Sequence, residues 1–324
     1  MSKAIRFHQT GGPEVLEWND IDVGRPSDSQ ILVRHTAIGL NYIDTYHRSG
    51  LYPLPLPSTI GMEAAGVVQE VGANVSEVAE GDRIAYACPP PGSYSEERLI
   101  DADKVVKIPP GVSDKTAAAM MLKGLTAQYL IRQIHKVSID DTILIHAAAG
   151  GVGLIVCQWA KALGATVIGT VSTEEKATLA RANGCDYPII YTKEDFAKRV
   201  MDITNGKKLP VVFDSIGKDT FEKSLDCLQP LGKMVSFGQA SGPVPPVDLG
   251  IFAQKGSLHF TRPTLFNYAG TAETLRDMSM DLFSVIGAGD VKIQIDQTFP
   301  LSEARAAHEA LESRRTTAST ILIP

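Results

Sequence analysis

The chain is 324 residues long, with 44% hydrophobic and 21% charged residues and a formal net charge of −6. That length accommodates two domains with substantial cores, and the negative balance argues against a nucleic-acid footprint or an anionic membrane partner. No apolar run is long enough to span a bilayer, and the four scattered cysteines (Cys88, Cys157, Cys185, Cys227) form no C-x-x-C pair of the kind that marks a zinc cluster.

Residues 1–14 carry charges and a Gly-Gly-Pro turn, unlike a signal peptide, so the expected compartment is the reducing cytoplasm. Up to about residue 115, short apolar runs alternate with turns. The clearest strands are 4–7, 30–34, 65–71 and 82–86, and the glycines and prolines between them suit a partly open antiparallel barrel. Residues 113–135 are expected as a helix with Ser113 at its N-cap. Strands are then expected at 142–148, 166–172, 187–191, 210–215, 233–238 and 258–261, with intervening helices centred on Trp159, Ala177, Lys198, Leu225 and Ile251. Repeated βα units with apolar strands imply a doubly wound parallel sheet. A helix over 271–288, a strand over 293–299, a helix over 302–313 and a strand at 319–323 are too few to close a domain alone. They are expected to return to the N-terminal part. The result is an α/β chain in which a nucleotide-binding domain, 124–264, is inserted into a domain made of 1–123 and 265–324.

The first of these βα connections reads Ala147-Ala148-Ala149-Gly150-Gly151-Val152-Gly153. Aligned to G-x-G-x-x-G, the three glycine places hold Ala148, Gly150 and Gly153. Strand, glycine-rich turn and helix in succession present backbone N–H groups and a helix N-terminus to a pyrophosphate. Many such turns serve packing alone; the βα repeats that follow favour a dinucleotide, and with it hydride transfer. NAD enzymes place a carboxylate about 20 residues beyond the turn, where it bonds the ribose hydroxyls. Here Ser172 stands in that place and can donate to a 2′-phosphate. Lys176 follows within a helical turn and either pairs with that phosphate or is one more exposed lysine. Glu174 and Glu175 suit a helix start but must point away from such a phosphate. NADPH is the expected cofactor.

Other stretches carry a resemblance over essentially the whole chain, among them Gly61-Met62-Glu63-Ala64-Ala65-Gly66 and Gly81-Asp82-Arg83-Ile84. The chain resembles the medium-chain dehydrogenase/reductase superfamily. That implies a GroES-like, partly open β-barrel catalytic domain with an inserted doubly wound Rossmann domain. Zinc-dependent alcohol dehydrogenases of this superfamily have Cys, His and Cys where this chain has Asn41, Met62 and Leu122, and their four-cysteine lobe is missing. No metal is therefore expected. Without a Lewis acid an alkoxide has nothing to stabilise it, which leaves hydride delivery to an acceptor activated by its own conjugation.

More locally, segments 37–46, 48–53, 122–126, 146–153, 214–217 and 260–263 resemble the zeta-crystallin-like NADPH:quinone oxidoreductases, particularly the bacterial branch. The resemblance implies that Asn41, Tyr42 and Asp44 lie near the nicotinamide and Tyr129 near the pyrophosphate or ribose. It puts Gly150, Gly151 and Val152 at the phosphates, and Ser172, Lys176, Tyr191 and Arg314 around the 2′-phosphate. Phe237, Gln239 and Arg262 would line the far side of the nucleotide, and a homodimer would form through edge strands such as 258–261.

For the acceptor pocket the candidates are Asn41, Tyr46 and Tyr52. An asparagine can donate to a quinone oxygen and a tyrosine ring can stack on a flat acceptor, although both tyrosines read equally well as half-buried surface residues. Lys123 and Thr126 shape the cleft, unless Lys123 faces solvent. Glu63, if buried, needs a cation or several donors and is expected to be structural; His47 is expected at the surface. The leading expectation is an NADPH-dependent quinone reductase, its hydroquinone product protonated from solvent. An enal or enone double-bond reductase, with a donor such as Tyr52, is the alternative. A third reading is an RNA-binding or crystallin-type protein, against which the acidic balance weighs.

Overall fold

In a computed structural model, which describes residues 2–313 and 315–324, the alternating half of the sequence forms one parallel sheet. Its spatial order is Tyr187–Ile190, Thr166–Val171, Thr142–Ile145, Leu209–Asp214, Leu228–Ser236, His259–Thr261. Ile143, Leu144, Ile145, Val167, Ile168, Val211, Val212 and Phe213 are all fully buried, as a sheet covered on both faces requires. Helices Gly151–Ala162, Glu174–Ala182, Phe196–Ile203, Phe221–Asp226 and Gly250–Gln254 follow the first five strands in chain order. Local chemistry starts two of them: Thr173 accepts from the Lys176 N–H, and Asp195 from the Ala197 and Lys198 N–H groups. Below them, Leu144, Ile168, Phe196, Val212, Phe221, Leu225 and Met234 form one apolar cluster. The chain winds outward from Thr142–Ile145 in one direction, then crosses to Leu209–Asp214 and winds outward in the other. The carboxyl ends of these two strands flank the switch point where open α/β sheets bind ligands.

By proximity the chain divides into two units, one of Met1–Leu125, Tyr268–Ser284 and Ile293–Pro324, the other of Thr126–Asn267 and Val285–Lys292. In the first, Gln30–Leu40 pairs antiparallel with Glu63–Val71, with Glu97–Asp101 and with the closing strand Ser319–Ile323. Arg83–Ala87 and Val106–Lys107 extend the sheet on the far side of Glu63–Val71. A second sheet joins Ser2–Phe7 to Glu17–Ile21 and Ser58–Thr59. Ile5, Phe7, Ile31, Val33, Ile60, Tyr86, Tyr94, Leu301 and Leu322 pack in a common core. This is the GroES-like part, and the last strand of the chain completes it.

Of the elements that differ from expectation, three bear on the site or its support. The helix over 113–135 starts at the Ser113 cap, whose hydroxyl accepts from the Thr116 N–H (3.1 Å). It is α-helical only over Asp114–Gln128; Tyr129–Ile134 widens to π winding, with the His135 N–H reaching the Leu130 carbonyl five residues back. The strand Glu97–Asp101 and the helix Tyr42–Ser49 had no counterpart in the sequence reading. That helix, Tyr-Ile-Asp-Thr-Tyr-His-Arg-Ser, is short and rich in aromatic and β-branched residues, which are poor helix formers.

Candidate active site

The glycine turn sits where its spacing places it. After Thr142–Ile145 the backbone turns, with Ala147 at a φ of 55° and the Gly150 N–H closing onto the Ala147 carbonyl (2.9 Å). Gly150 then caps the Gly151–Ala162 helix in extended conformation. A side chain at Gly153 would put its Cβ 2.3 Å from the Ala147 carbonyl oxygen and 2.8 Å from Ala148 backbone atoms, so only glycine lets the helix start this close to the strand. Gly150, Gly151 and Val152 are partly exposed at this helix N-terminus, an end whose dipole and first-turn N–H groups suit an anion.

Beyond the neighbouring strand, Ser172, Lys176 and Tyr191 are drawn together. The Tyr191 N–H bonds the Val171 carbonyl (3.1 Å), and Thr192 Oγ1 donates to the Ser172 carbonyl (2.9 Å), holding the 191–192 loop against the strand end. Lys176 lies in the first turn of the helix capped by Thr173. Glu174 is turned toward Lys193 (2.8 Å). Across the switch point, Phe237 follows the Leu228–Ser236 strand with its N–H on the Asp214 carbonyl (2.8 Å), and Arg262 donates to the Ser236 carbonyl (2.8 Å). Gln239 lies two residues further along, and Tyr129 is buried at the start of the π segment. Arg314 lies outside the described residues.

In the other unit, Asn41 ends the Gln30–Leu40 strand and begins the Tyr42–Ser49 helix. Its side chain is 5% exposed and donates to Glu63 Oε1 (2.9 Å). Glu63 is fully buried, and it receives the Leu122 N–H on Oε2 (2.5 Å) and the Lys123 ammonium on Oε1 (2.8 Å). So the carboxylate has both the cation and the donors that burial demands. Lys123 is 6% exposed and does not face solvent. A Cβ at Gly39 would lie 2.0 Å from Glu63 Oε1; the carboxylate is packed onto bare backbone. The side chains at the three positions where zinc relatives hold the metal are an amide, a thioether and an alkyl group, and they do not fit zinc. No group of three His, Cys, Asp or Glu comes together among the described residues.

Tyr46 and Tyr52 meet edge to face, ring centroids 5.3 Å apart, and Tyr42 lies 6.5 Å from Tyr46. His47, expected at the surface, is 8% exposed and 6.1 Å from the Tyr52 ring. Burial lowers its pKa to about 4, because a charged imidazole there would lose its water.

A buried polar chain runs behind this helix, and sequence reasoning missed all but one of its members. Asp44 Oδ2 accepts from the Asn41 N–H (2.9 Å) and the Tyr94 hydroxyl (3.0 Å). Tyr94 also touches His308 Nε2 (3.2 Å), whose Nδ1 faces Arg48 (3.0 Å), and Arg48 pairs with Glu312 (2.7 Å). Asp44 is fully buried, which raises its pKa to about 7 against the opposing hydrogen bonds from Asn41 and Tyr94. His308 is lowered to about 3 by burial and then by the neighbouring Arg48 charge. Contacts between residues some 260 positions apart leave no local mark in a sequence.

Residues 27–110 match the family described as alcohol dehydrogenase GroES-like domain, and residues 151–284 that described as zinc-binding dehydrogenase. The chain is 56% identical to a quinone oxidoreductase of Pseudomonas aeruginosa over the full length of both. It is 48% identical to a 2-haloacrylate reductase of a Burkholderia species, covering 100% of this chain and 99% of that one. The crystal structure of Escherichia coli quinone oxidoreductase complexed with NADPH superposes with a TM-score of 0.98 at 51% identity, covering 99% of this chain and all of the other.

Proposed function

The chain belongs to the quinone oxidoreductase family of the medium-chain dehydrogenase/reductases, and from that premise we propose that it transfers hydride from NADPH to a quinone without a metal. The observation that carries the reading is the pairing of a phosphate-binding turn with Ser172 and Lys176, where an NAD enzyme would carry a carboxylate. When bound, NADPH supplies the hydride. The amides of Gly151 and Val152, beside Gly150, hold its pyrophosphate, and Ser172, Lys176 and Tyr191 hold its 2′-phosphate, with Arg314 assigned to the same group by sequence alone. Tyr129, Phe237, Gln239 and Arg262 enclose the rest of the nucleotide. Asn41, Tyr42 and Asp44 are assigned to the nicotinamide end by their resemblance alone, and the Tyr46–Tyr52 pair offers aromatic surface to a flat acceptor. Asn41 gives one N–H of its side-chain amide to Glu63, which fixes the orientation of the rest of that amide.

The expected outcome with 1,4-benzoquinone or a naphthoquinone is turnover that prefers NADPH to NADH. Lys176→Ala should raise KM for NADPH by about 10- to 100-fold, the worth of one charge-assisted bond, and leave NADH nearly unchanged. Absence of NADPH-dependent quinone reduction would reject the activity. The 2-haloacrylate reductase relative favours a second reading, an acceptor with an activated C=C bond, and an enone run beside the quinones ranks the two.

The protein is cytoplasmic in this reading, consistent with four buried cysteines that form no disulfide; among the described residues no helix is long and apolar enough to cross a membrane. We also propose a homodimer through the His259–Thr261 edge strand, which is bonded on one side only and exposes Phe260 at 45%. Sedimentation equilibrium should return twice the chain mass, and a monomer would refute the dimer.

A further inference from the structure

The buried chain behind the Tyr42–Ser49 helix has a direction. Arg48 can only donate, so His308 Nδ1 accepts from it, and the neutral ring carries its proton on Nε2. Nε2–H therefore donates to the Tyr94 oxygen, and the Tyr94 hydroxyl donates to Asp44 Oδ2. From Arg48 Nη1 through His308 and Tyr94 the donors run toward Asp44, and Glu312 anchors the far end through Arg48. Oδ2 takes two hydrogen bonds, while Oδ1 is buried with no partner among the described residues. Such an oxygen is costly as part of a bare carboxylate and much less so when it carries a proton.

The surrounding charges point the same way. Asp44 and Glu63 are both fully buried, and their charges oppose each other. Lys123 is the one buried lysine among the described residues, and its ammonium bonds Glu63. Arg48, at the other end of the chain, is spent on Glu312, Gly11 and His308. The groups facing Asp44 thus comprise an acid already paired, its ammonium and a tyrosine; His308 and Arg48 lie behind the tyrosine. None offers Asp44 a cation of its own.

Asn41 is held by both acids at once, its backbone N–H on Asp44 and its side-chain amide on Glu63. It is also the first residue of the turn that presents Tyr46, to whose carbonyl the Tyr52 N–H is bonded (3.0 Å). We propose that Asp44 is a positioning residue, and that one proton on its Oδ1, favoured by its burial without a cation beside Glu63 and held against the donor chain Arg48–His308–Tyr94, sets the Asn41 corner and with it the Tyr46–Tyr52 pair that receives the acceptor. Ionisation of Asp44 puts a second negative charge beside Glu63 and loosens that corner. The inference rests on the acceptor role given to Tyr46 and Tyr52 above.

Two readouts on the full chain test it. Near-ultraviolet circular dichroism follows tyrosine packing without any substrate. It should show a one-proton transition close to neutrality, in line with the value of about 7 that burial imposes on Asp44. Above the same midpoint KM for benzoquinone should rise by up to about tenfold per pH unit, the limit for one proton, while kcat changes little. Asp44→Asn should abolish both transitions. Tyr94→Phe removes a donor to the carboxylate and should move both to higher pH. A flat dichroism titration in the unaltered chain, or a transition that survives Asp44→Asn, overturns the inference; so does a dichroism transition with no matching change in KM. If no quinone were reduced at all, the proposed activity would fall and the dichroism titration would still decide the role of Asp44.

Discussion

Replacing Lys123 with methionine is expected to cost about 3–5 kcal/mol, the usual penalty for stripping a buried charge of its partner. Glu63 would keep the Leu122 N–H and the Asn41 amide but lose its only cation among the described residues, in a position with no access to water. Relaxation gives little relief, because Gly39 and the Ala118 carbonyl lie against the carboxylate. The double replacement Glu63→Gln with Lys123→Met removes both charges and should recover most of the loss, since a buried ion pair exchanged for neutral groups of similar volume is often close to neutral. Urea unfolding of the two single variants and the double variant, read as a double-mutant cycle, measures the coupling. A double variant no more stable than Lys123→Met would show that the pair is not the unit holding this corner. The same cycle bears on function: Glu63 also fixes the Asn41 side chain, so a loosened carboxylate should raise KM for the acceptor more than KM for NADPH.

How far this site was legible in the sequence follows from the range of the forces involved. The glycine turn is local: strand, Gly150, Gly153 and helix are contiguous, and the close approach at Gly153 reads directly from spacing. The parallel sheet was legible because strands buried on both faces become continuous apolar runs. That Glu63 needs a cation followed from the cost of burying a carboxylate, but the cation itself did not. Lys123 lies 60 positions away, and a lysine in a helix ordinarily reads as a solvated residue. The Tyr42–Ser49 helix carries one local signal, the capping pair Asn41 and Asp44, and was missed because the rest of its support is distant. Its start is fixed by the Asp44 carboxylate on the Asn41 N–H, and Asp44 is held by Tyr94, 50 positions on, and through it by His308. Propensity opposes that helix, and tertiary hydrogen bonds override it. His47 was misjudged likewise, since ring packing against Tyr52 cannot be inferred from neighbours in sequence.

Acid should unfold the protein well before its carboxylates are titrated in the ordinary range. Burial lowers the pKa of His35 to about 4, of His47 to about 4 and of His308 to about 3, against an ordinary 6.5. Each ring is locked in its neutral form. His35 takes the Tyr86 hydroxyl on Nε2 (2.8 Å) and sets Nδ1–H on the Ser95 carbonyl (2.7 Å); His308 would have to hold a charge beside Arg48. Below pH 6.5 the unfolded chain binds protons that the folded chain refuses, so these groups withdraw stability as the pH falls toward 4. Asp44 acts in the opposite sense. Its folded pKa of about 7 exceeds the ordinary 3.8, so between those values the folded state binds the extra proton and gains stability as the pH falls. At about 1.4 kcal/mol per unit and group, three histidines outweigh one aspartate. The net loss is about 3 kcal/mol between pH 7 and pH 5 and about 6 kcal/mol by pH 4, comparable with the whole stability of a typical domain. Denaturant titrations at a series of pH values should show that slope. His308→Gln should make it shallower, and Asp44→Asn, which removes the opposing group, should make it steeper. A stability that stays level from pH 7 to pH 5, or a shallower slope in Asp44→Asn, would mean that these groups do not hold the protonation states their burial imposes.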